Sequence, residues 1–412
     1  MKNFPEKYIE RELENKINKY LKDREIIAIL GTRQCGKTTL MKHIFKKLKN
    51  SRFISFEDRD ILNLFTKDIK TFAKRYVEKK DYLFIDEFQY AKKGGQNLKF
   101  LYDTYKIKII ISGSSAPELS VQSLKYLVGR ILIFNLHPLS FKEFLNYKDK
   151  NLLEILLSKK EKLTKEIVKL ALPQYREYLT FGGYPKIVAE KDLEKKQEFL
   201  KNIYNTYLLR EIKEILQIEE DQKVNSLIKT LALQCGSQVN YNEISNLINL
   251  ENYELKKYLE ILKKTFICIE TKPYFKNKRK ELSKTPKIYF VDNGFRNIAI
   301  DNFQDIENRT DRGALNENFV CSELFKKDLN FKYWRTKAGA EIDFVIEKQN
   351  KLIPIEVKTT LKTPKHGKSF ENFIKEYPIE KGFFLSEDYI DKLIKHKIKI
   401  IFNPIFNIFN LL

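Results

Sequence analysis

A glycine-bounded loop between two apolar segments constrains the fold of this chain more than any other feature. Residues 31–38 read Gly-Thr-Arg-Gln-Cys-Gly-Lys-Thr, an unbroken G-x-x-x-x-G-K-[ST] pattern. The run at 26–30 has the character of a buried strand, and residues 38–45 have that of a helix. In this context the backbone N–H groups of the loop and the helix N-terminus face a phosphate group. The sequence therefore predicts a nucleoside triphosphate site on a parallel α/β sheet.

The residues of this loop have distinct expected roles. Lys37 is expected to reach the β- and γ-phosphates, and the hydroxyl of Thr38 is expected to ligate Mg²⁺. We therefore predict ATP and Mg²⁺ as ligands. The predicted nucleotide-binding residues form one continuous run: Gly31, Thr32, Arg33, Gln34, Cys35, Gly36, Lys37, Thr38 and Thr39.

A second apolar strand ends in two acids. Residues 82–85 are hydrophobic, and Asp86 and Glu87 follow them directly. Because ligands bind at the carboxyl ends of parallel strands, both acids are expected near the phosphates. Asp86 is predicted to hold Mg²⁺ through water, and Glu87 to orient or deprotonate the attacking water. Ser112 and Ser114 end a further strand, where each could contact the γ-phosphate or simply form a turn.

These motifs resemble those of the prokaryotic AAA-like P-loop ATPases of the AAA_14 type. The acidic motif continues as Asp-Glu-Phe-Gln at 86–89, and the stretches 127–130 and 136–144 have the same family character. The resemblance implies that Arg130 contacts the γ-phosphate, in its own subunit or from a neighbour. Without the resemblance, Arg130 is an ordinary surface arginine. Residues 181–185, Phe-Gly-Gly-Tyr-Pro, fit the family's helical lid, although physically they predict only a tight break between helices.

Composition indicates a globular protein of the cytoplasm. The 412 residues suggest two to four domains, and the hydrophobic fraction of 42% excludes a disordered chain. No stretch approaches the roughly 18 apolar residues of a membrane span, and the N-terminus lacks a signal-peptide pattern. The four cysteines and four histidines are dispersed, so they do not indicate a zinc site. We expect no membrane partner.

The net charge favours a polyanionic partner. There are 77 Lys and Arg residues against 55 Asp and Glu residues, which gives a formal net charge of +22. Such an excess favours nucleic acid, with DNA first, over a membrane surface. An AT-rich genome would also enrich lysine, so charge alone supports DNA binding only modestly.

Residues 221–291 have the pattern of a winged helix. Three short helical segments precede two strand patterns, at 266–270 and 287–291. The connection between the strands would form a basic wing suited to phosphate contacts, or else a solvated charged loop. A winged helix also serves as a protein–protein module. The basic residues of the connection are Lys272, Lys276, Lys278, Arg279, Lys280 and Lys284.

A second group of chemically active residues lies in the last third of the chain. Segments 341–346 and 353–358 pair naturally as a hairpin, in which Glu356 and Lys358 share one face because side chains alternate. Asp343 can lie across from them, and Glu317 can approach from a helix. Three carboxylates beside a lysine suit Mg²⁺ and an activated water. Glu317, Asp343 and Glu356 are the predicted metal ligands here, and Asp343, Glu356 and Lys358 the predicted catalytic residues.

This arrangement resembles the PD-(D/E)xK nuclease fold. More specifically, it resembles the C-terminal domain of the DUF4143 type that accompanies these ATPases. The Glu-x-Lys part is intact, but the proline–aspartate pair of the motif is Ile342-Asp343 in this chain. The alternative is a nuclease fold retained as a scaffold, with its charges on a solvated strand edge.

The predicted architecture is α/β and multidomain: a RecA/AAA-like parallel sheet with a helical lid, a winged helix and a restriction-endonuclease-like α/β domain. The predicted function is ATP hydrolysis coupled to nucleic-acid binding and to Mg²⁺-dependent cleavage. The alternatives are an ATP-dependent signalling or scaffold switch with an inactive nuclease fold, and a nucleic-acid-binding ATPase without cleavage. A homo-oligomer is left open. The predicted domains are the ATPase core with an N-terminal helix at 1–137, the lid at 138–220, the winged helix at 221–291 and the nuclease-like domain at 292–412.

Overall fold

The structure is a computed structural model that covers most of the chain. It describes residues 8–411 except 93, 115–124, 160–162, 209–211, 213, 214, 216–220, 278, 280, 282 and 283, and it does not describe the side chains of 206–208 and 221. Lys278 and Lys280 of the predicted wing therefore lie outside the described residues.

Five parallel strands of the described chain form the N-terminal sheet, in the order β2-β3-β4-β1-β5. Every residue of the central strand β1 is buried, which explains its unbroken apolar sequence. The strands are β1 (Ile26–Gly31), β2 (Ser51–Ser55), β3 (Tyr82–Asp86), β4 (Lys108–Ser114) and β5 (Ile131–Asn135).

Helices cover both faces of this sheet. Along β1, Ile27 and Ile29 point into one apolar cluster, and Ile26, Ala28 and Leu30 point into another. The first cluster contains residues of α1 and α2, and the second contains residues of α3, α4 and α5. The bounds are α1 (Glu12–Lys19), α2 (Lys37–Lys47), α3 (Arg59–Lys67), α4 (Ile69–Tyr76) and α5 (Gly95–Thr104).

A helical segment follows the sheet. Its first helix begins at a capping box, in which Ser140 and Glu143 each bond the backbone N–H of the other. The helices are α6 (Phe141–Lys148), α7 (Lys150–Lys159), α8 (Lys165–Phe181), α9 (Pro185–Ala189) and α10 (Leu193–Asn202), and a π-helical turn continues at Ile203–Leu208.

Three helices and a two-stranded antiparallel sheet come next, in the order that the sequence predicted. Cys268 lies opposite Phe290 in the ladder, and the predicted wing connects the two strands. The elements are α11 (Asp221–Leu233), α12 (Tyr241–Ile248), α13 (Asn252–Lys264), β6 (Cys268–Thr271) and β7 (Lys287–Phe290).

The last third of the described chain contains a six-stranded mixed sheet with the order β12-β13-β11-β10-β9-β8. Its helices are α14 (Asn293–Ala299), α15 (Arg312–Lys326) and α16 (Lys368–Glu376). Its strands are β8 (Phe331–Arg335), β9 (Glu341–Lys348), β10 (Lys351–Val357), β11 (Lys381–Ser386), β12 (Asp391–Lys395) and β13 (Ile398–Pro404), and a 3-10 turn follows at Ile405–Asn410.

One apolar core joins the three segments after the N-terminal sheet. A single cluster of buried side chains runs from Leu139 to Phe409 and includes residues of the predicted lid, winged helix and nuclease-like domain. At its centre the ring of Phe141 contacts those of Tyr175, Phe319 and Phe406, with centroids 5.7 to 6.5 Å away. The predicted boundaries at 220 and 291 therefore do not separate independent cores. As domain boundaries they stay predictions.

Among the residues that the structure describes, no helix combines the length and the apolar character that crossing a lipid bilayer requires.

Candidate functional site

The phosphate loop lies at the carboxyl end of the central strand β1. The backbone of Gly36 has φ of +99°, a value that favours glycine, and α2 begins at the next residue, Lys37. At the other end of the loop, a Cβ on Gly31 would overlap the carbonyl oxygen of Leu136. Both glycines of the motif are thus required by backbone geometry, and the strand–loop–helix context predicted from the sequence is present.

A cavity of about 540 Å³ opens in front of this loop. Glu87 faces it from the end of β3, so the expected base and the phosphate loop share one cavity. Six of the nine predicted nucleotide-binding residues line it: Arg33, Gln34, Gly36, Lys37, Thr38 and Thr39. The remaining walls come from the segment before α1 and from α9, through Tyr8, Ile9, Arg11, Pro185, Lys186 and Ala189. The sequence did not place these six side chains in the site.

Lys37 folds back onto its own loop. Its ammonium nitrogen Nζ donates to the carbonyl oxygens of Gly31 and Thr32, at 2.9 Å each. The residue is only 5% exposed, so the charge is largely removed from water. Neutral carbonyls are weaker acceptors for an ammonium than phosphate oxygens are. The buried hydroxyl of Thr32 has no hydrogen-bond partner within the described part of the chain.

Cys35 presents its backbone, not its thiol, to the surroundings of the site. The side chain is fully buried in the apolar cluster beneath the loop. Its carbonyl oxygen accepts a hydrogen bond of 2.8 Å from the guanidinium of Arg11. Arg11 also donates to the carbonyl of His137 at 2.6 Å and pairs with the carboxylate of Glu143 at 3.1 Å. Arg11 therefore connects the loop to the start of α6, a role that the sequence analysis did not predict.

The end of β3 is bound to the neighbouring strand β4. The hydroxyl of Ser112 donates to the carboxylate of Asp86 and accepts from the backbone N–H of Glu87 at 3.2 Å. The side-chain amide of Gln89 donates to the carboxylate of Glu87 and accepts from the backbone N–H of Ser114 at 3.2 Å. Ser112 is fully buried. It thus positions the acids, and it is not placed to contact a γ-phosphate.

Arg130 lies at the opposite edge of the sheet from the phosphate loop. Its carbonyl accepts from the backbone N–H of Ile26 at 2.8 Å, and Ile26 is the first residue of β1 whereas the loop follows the last. At about 3.3 Å per residue, the length of β1 separates the two by roughly 16 Å. The guanidinium pairs with Asp103 at 3.0 Å. The predicted contact within one subunit is therefore excluded, and only a contact from a neighbouring subunit stays a prediction.

The second candidate site lies at the end of the β9–β10 hairpin. Ile355 of β10 lies opposite Phe344 of β9 at the last pair of the ladder, so Glu356 and Asp343 are the next residues on the two strands. The carboxylate of Asp343 accepts a hydrogen bond of 2.7 Å from the backbone N–H of Val357. This bond places Asp343 beside the residue that follows Glu356, and a shared ion between the two carboxylates stays a prediction.

Glu356 is buried and Asp343 is half-buried, and the pKa values of both carboxyls are raised. Burial, with the charge of Glu317 adding to it, raises the pKa of Asp343 to about 7. Burial also raises the pKa of Glu356, which is 3% exposed. One carboxylate oxygen of Glu356, Oε1, is buried and has no hydrogen-bond partner among the residues that the structure describes. Such an orphaned acceptor is a site for a proton, a water molecule or a cation.

Lys358 provides positive charge at these acids. Its ammonium lies 3.1 Å from the carboxylate oxygen Oε2 of Glu356. Burial alone would lower the pKa of Lys358, but the charges of Asp343 and Glu356 outweigh it and raise that pKa. The Glu-x-Lys pair thus forms the contact on one strand face that its spacing predicted.

Glu317 departs from its predicted role. Its carboxylate is bound by the ammonium of Lys287 at 3.1 Å and by the hydroxyl of Tyr289, both on β7. Lys287 is buried and also pairs with Glu341 at 2.5 Å. Burial alone would lower the pKa of Lys287, but the charges of Glu317 and Glu341 outweigh it and raise that pKa. The sequence did not anticipate that a lysine of the predicted winged helix would enter this site.

The predicted three-carboxylate metal site is not formed. The carboxylate of Glu317 is paired with Lys287 and Tyr289, although it lies close enough to Asp343 for its charge to raise the pKa of that acid. Within the described residues, no group of three or more His, Cys, Asp and Glu side chains is arranged to hold a metal ion. The hard oxygens of Asp343 and Glu356 still suit one divalent cation.

Family comparisons divide the chain into three matched regions. Residues 23–145 match a family described as an AAA domain. Residues 172–306 match a domain of unknown function, DUF8612, and residues 312–404 match another, DUF4143. The first match covers the phosphate loop, both acids of β3 and Arg130. The third covers Glu317, Asp343, Glu356 and Lys358.

Two relatives align along most of the chain. An uncharacterized protein of Haemophilus influenzae is 28% identical over 357 residues, which is 82% of this chain and 83% of the relative. An uncharacterized protein of Methanocaldococcus jannaschii is 29% identical over 390 residues, which is 91% of this chain and 83% of the relative. Sequence similarity thus extends over most of the chain in one bacterial and one archaeal protein.

Solved structures share only low similarity with this chain. The Aeropyrum pernix ORC1 protein in complex with DNA gives a TM-score of 0.30 at 12% identity, covering 79% of this chain and 96% of that one. The S. cerevisiae Hsp104–ADP complex gives a TM-score of 0.31 at 16% identity, covering 63% of this chain and 40% of that one. Residues 23–145 thus match an AAA domain family, and their loop has the strand–loop–helix geometry of a P-loop nucleotide-binding domain.

Proposed function

We propose that this chain binds and hydrolyses ATP in the cavity between the phosphate loop and α9. The observation that carries the proposal is that Lys37, Thr38 and Glu87 line one cavity of about 540 Å³. That volume is within the range of small-molecule sites.

Three residues of the cavity, together with Asp86 next to Glu87 in the sequence, have defined tasks in this proposal. Lys37 would exchange its two carbonyl acceptors for phosphate oxygens, which are stronger partners. The Thr38 hydroxyl and the Asp86 carboxylate would hold Mg²⁺, which neutralises phosphate charge when it is bound. Glu87 would orient a water molecule and take its proton.

The test separates binding from hydrolysis. Glu87→Gln keeps the size of the side chain and removes the base, so ATP should still bind in calorimetry while turnover falls about 10²–10⁴-fold. Lys37→Ala should lose ATP affinity, and Lys46→Ala at the far end of α2 is the matched control. A parent protein that binds ATP but never hydrolyses it, with or without DNA, would instead support the signalling switch.

We also propose that the C-terminal site binds a divalent cation and cleaves nucleic acid. Asp343, Glu356 and Lys358 support this because Asp343 bonds the backbone next to Glu356 and the lysine contacts Glu356. The unpartnered Oε1 of Glu356 is an open ligand position. DNA is the favoured substrate because of the net charge of +22.

The corresponding experiment is a cleavage assay on single- and double-stranded DNA with ATP and Mg²⁺. Asp343→Ala and Lys358→Ala should abolish cleavage while the circular dichroism spectrum is retained. Lys351→Ala, an exposed change at the other end of β10, is the control. If the parent does not cleave, and Mg²⁺ does not raise its melting temperature relative to Asp343→Ala, the domain is a scaffold. A cytoplasmic location and a homo-oligomer stay predictions.

A further inference from the structure

Gln89 holds the side chain of the proposed base. Its amide nitrogen donates to the carboxylate of Glu87, and its amide oxygen accepts from the backbone N–H of Ser114 at 3.2 Å. The two bonds fix which end of the amide points where, because a carboxylate only accepts and a backbone N–H only donates. Glutamine is therefore chemically matched to both neighbours at once.

The backbone of Glu87 is held at the same time. Glu87 has φ of +55°, a left-handed conformation that is uncommon for a residue other than glycine. Its N–H donates to the hydroxyl of Ser112 at 3.2 Å, which anchors the backbone of Glu87 to β4. Gln89 anchors the side chain of Glu87 to the same strand through Ser114. Backbone strain of this kind persists only where surrounding contacts over-determine it, and it concentrates at functional sites.

The segment that carries Gln89 is itself rigid. Phe88 is fully buried and packs against the rings of Phe56 and Phe65, with centroids 5.8 and 6.1 Å away. Gln89 follows it in a short 3-10 turn. The amide of Gln89 is thus carried by a segment that is anchored in the core, next to Glu87, which lines the cavity.

We propose that Gln89 is a positioning residue for ATP hydrolysis, acting through the carboxylate of Glu87. The inference rests on the proposed ATPase function. A carboxylate without this bond would rotate away from the cavity, and the water that it orients would lose its alignment. Small misplacements of this kind reduce turnover while substrate binding is preserved. Gln89 touches neither the phosphate loop nor Lys37 in the contacts that the described residues show, so binding should not depend on it.

The experiment is a double-mutant cycle on the full chain. Gln89→Leu keeps the approximate volume but removes both bonds, and should lower kcat about 10- to 10²-fold. KM and the affinity for ATP should stay within about twofold of the parent, because the substitution should not change the contacts that bind ATP. In the Glu87→Gln background, Gln89→Leu should cause no further loss, since the residue acts only through that carboxylate. Gln304→Leu, an exposed change elsewhere, is the matched control.

The outcomes distinguish this inference from the proposed function. Equal kcat in Gln89→Leu and the parent would overturn the positioning role while the ATPase stands. If Gln89→Leu lowers kcat by the same factor in the parent and in Glu87→Gln, the effect is structural and the positioning role is also overturned. A parent whose turnover does not respond to Glu87→Gln would overturn the proposed base, and the inference with it. If Gln89→Leu does not fold, Gln89→Glu retains size and polarity, places a like charge beside Glu87, and should lower kcat in the same way.

Discussion

His137 is a histidine held uncharged inside the molecule. Its ring lies between those of Phe266 and Phe325, each with a centroid distance of 4.9 Å. Burial, followed by the positive charges of Lys326 and Arg11, lowers the pKa of His137 to about 3. An unfolded histidine titrates near pH 6.5, so below that pH the unfolded chain binds a proton that the folded chain excludes.

The stability of the protein should therefore fall as the pH drops from about 6.5 toward 3. At pH 5 the contribution is about 2 kcal/mol, from roughly 1.5 pH units at 1.36 kcal/mol each. His137→Phe keeps an aromatic ring and removes the titration, so it should lose less free energy of unfolding between pH 7 and pH 5 than the parent loses. Urea titrations at both pH values measure this. His396→Asn, in an exposed turn, controls for the loss of a histidine, and an unchanged pH dependence in His137→Phe would contradict the prediction.

At the scale of elements, the end of α8 packs closely against the start of α14. Gly182 follows α8 with φ of +74° and ψ of −164°, a conformation that is essentially restricted to glycine. A Cβ at this position would collide with the carboxylate of Asp292. That carboxylate accepts from the N–H of Gly183 at 2.7 Å and caps α14 through the N–H of Phe295 at 2.9 Å. The tight break predicted from the glycines is therefore a junction between distant parts of the sequence.

Gly182→Ala should accordingly destabilise the protein by more than backbone strain alone. Strain is expected to cost about 1–3 kcal/mol, and the collision with Asp292 about 1–3 kcal/mol in addition. Gly129 offers a matched control because it has the same φ of +74°, but a Cβ at that position would meet none of the described residues within 4 Å. Denaturant unfolding of both alanine variants gives the difference, and equal losses would show that the junction is not tightly packed.

The predicted wing is partly used inside the molecule. The ammonium of Lys276 donates to the carbonyl of Glu376 at 3.1 Å and lies 5.1 Å from the ring centroid of Tyr377. Lys276, Arg279 and Lys284 are all exposed. Among the described basic residues of the wing, Lys276 therefore combines an exposed position with contacts to the C-terminal domain.

Reversing the exposed charges should weaken DNA binding and its salt dependence. Arg279→Glu with Lys284→Glu should reduce the slope of log affinity against log salt by up to about 1.8, at roughly 0.9 per phosphate contact. Fluorescence anisotropy on duplex DNA over a salt series measures the slope. Lys392→Glu with Lys397→Glu, on the β12–β13 hairpin, makes the same change in net charge. Equal effects of the two pairs would place DNA binding outside the wing.

The elements of both sites were predictable, but the partners of Glu317 were not. The apolar runs of β1 and β3, the two glycines of the loop and the alternation around Glu356 are local patterns, and each gave the correct element. The position of Glu317 depends on which sheet face α15 covers and on Lys287 arriving from β7. Those facts follow from tertiary packing, which local periodicity does not encode. The same reason explains why the role of Arg11, far from the loop in sequence, was not predicted.

At the scale of the whole molecule, the position of Arg130 requires a second copy if that residue acts on ATP. It lies at the amino edge of the sheet, about 16 Å from the loop of its own chain by strand length. A contact from a neighbouring subunit would make hydrolysis depend on assembly. Specific activity should then rise with protein concentration.

Subunit mixing tests this directly. Arg130→Ala and Glu87→Gln subunits should each hydrolyse ATP slowly alone, whereas a mixture should recover part of the activity. The reason is that some interfaces then combine an intact Glu87 with an intact Arg130. Asp103→Ala, which removes the ion-pair partner of Arg130, controls for local disruption. A mixture no more active than the average of its components would contradict action between subunits.

The shared aromatic core also affects how the chain folds as it is made. The ring of Phe141 is enclosed by Phe406 and Phe409, which the ribosome adds more than 260 residues later. At about 5–20 residues per second, that delay lasts roughly 13 to 50 s. The N-terminal sheet, whose clusters lie within residues 8–136, has all its apolar partners much earlier. Until the last residues are synthesised, the helices after the sheet expose aromatic side chains. We therefore expect the nascent chain to need a chaperone most during this interval.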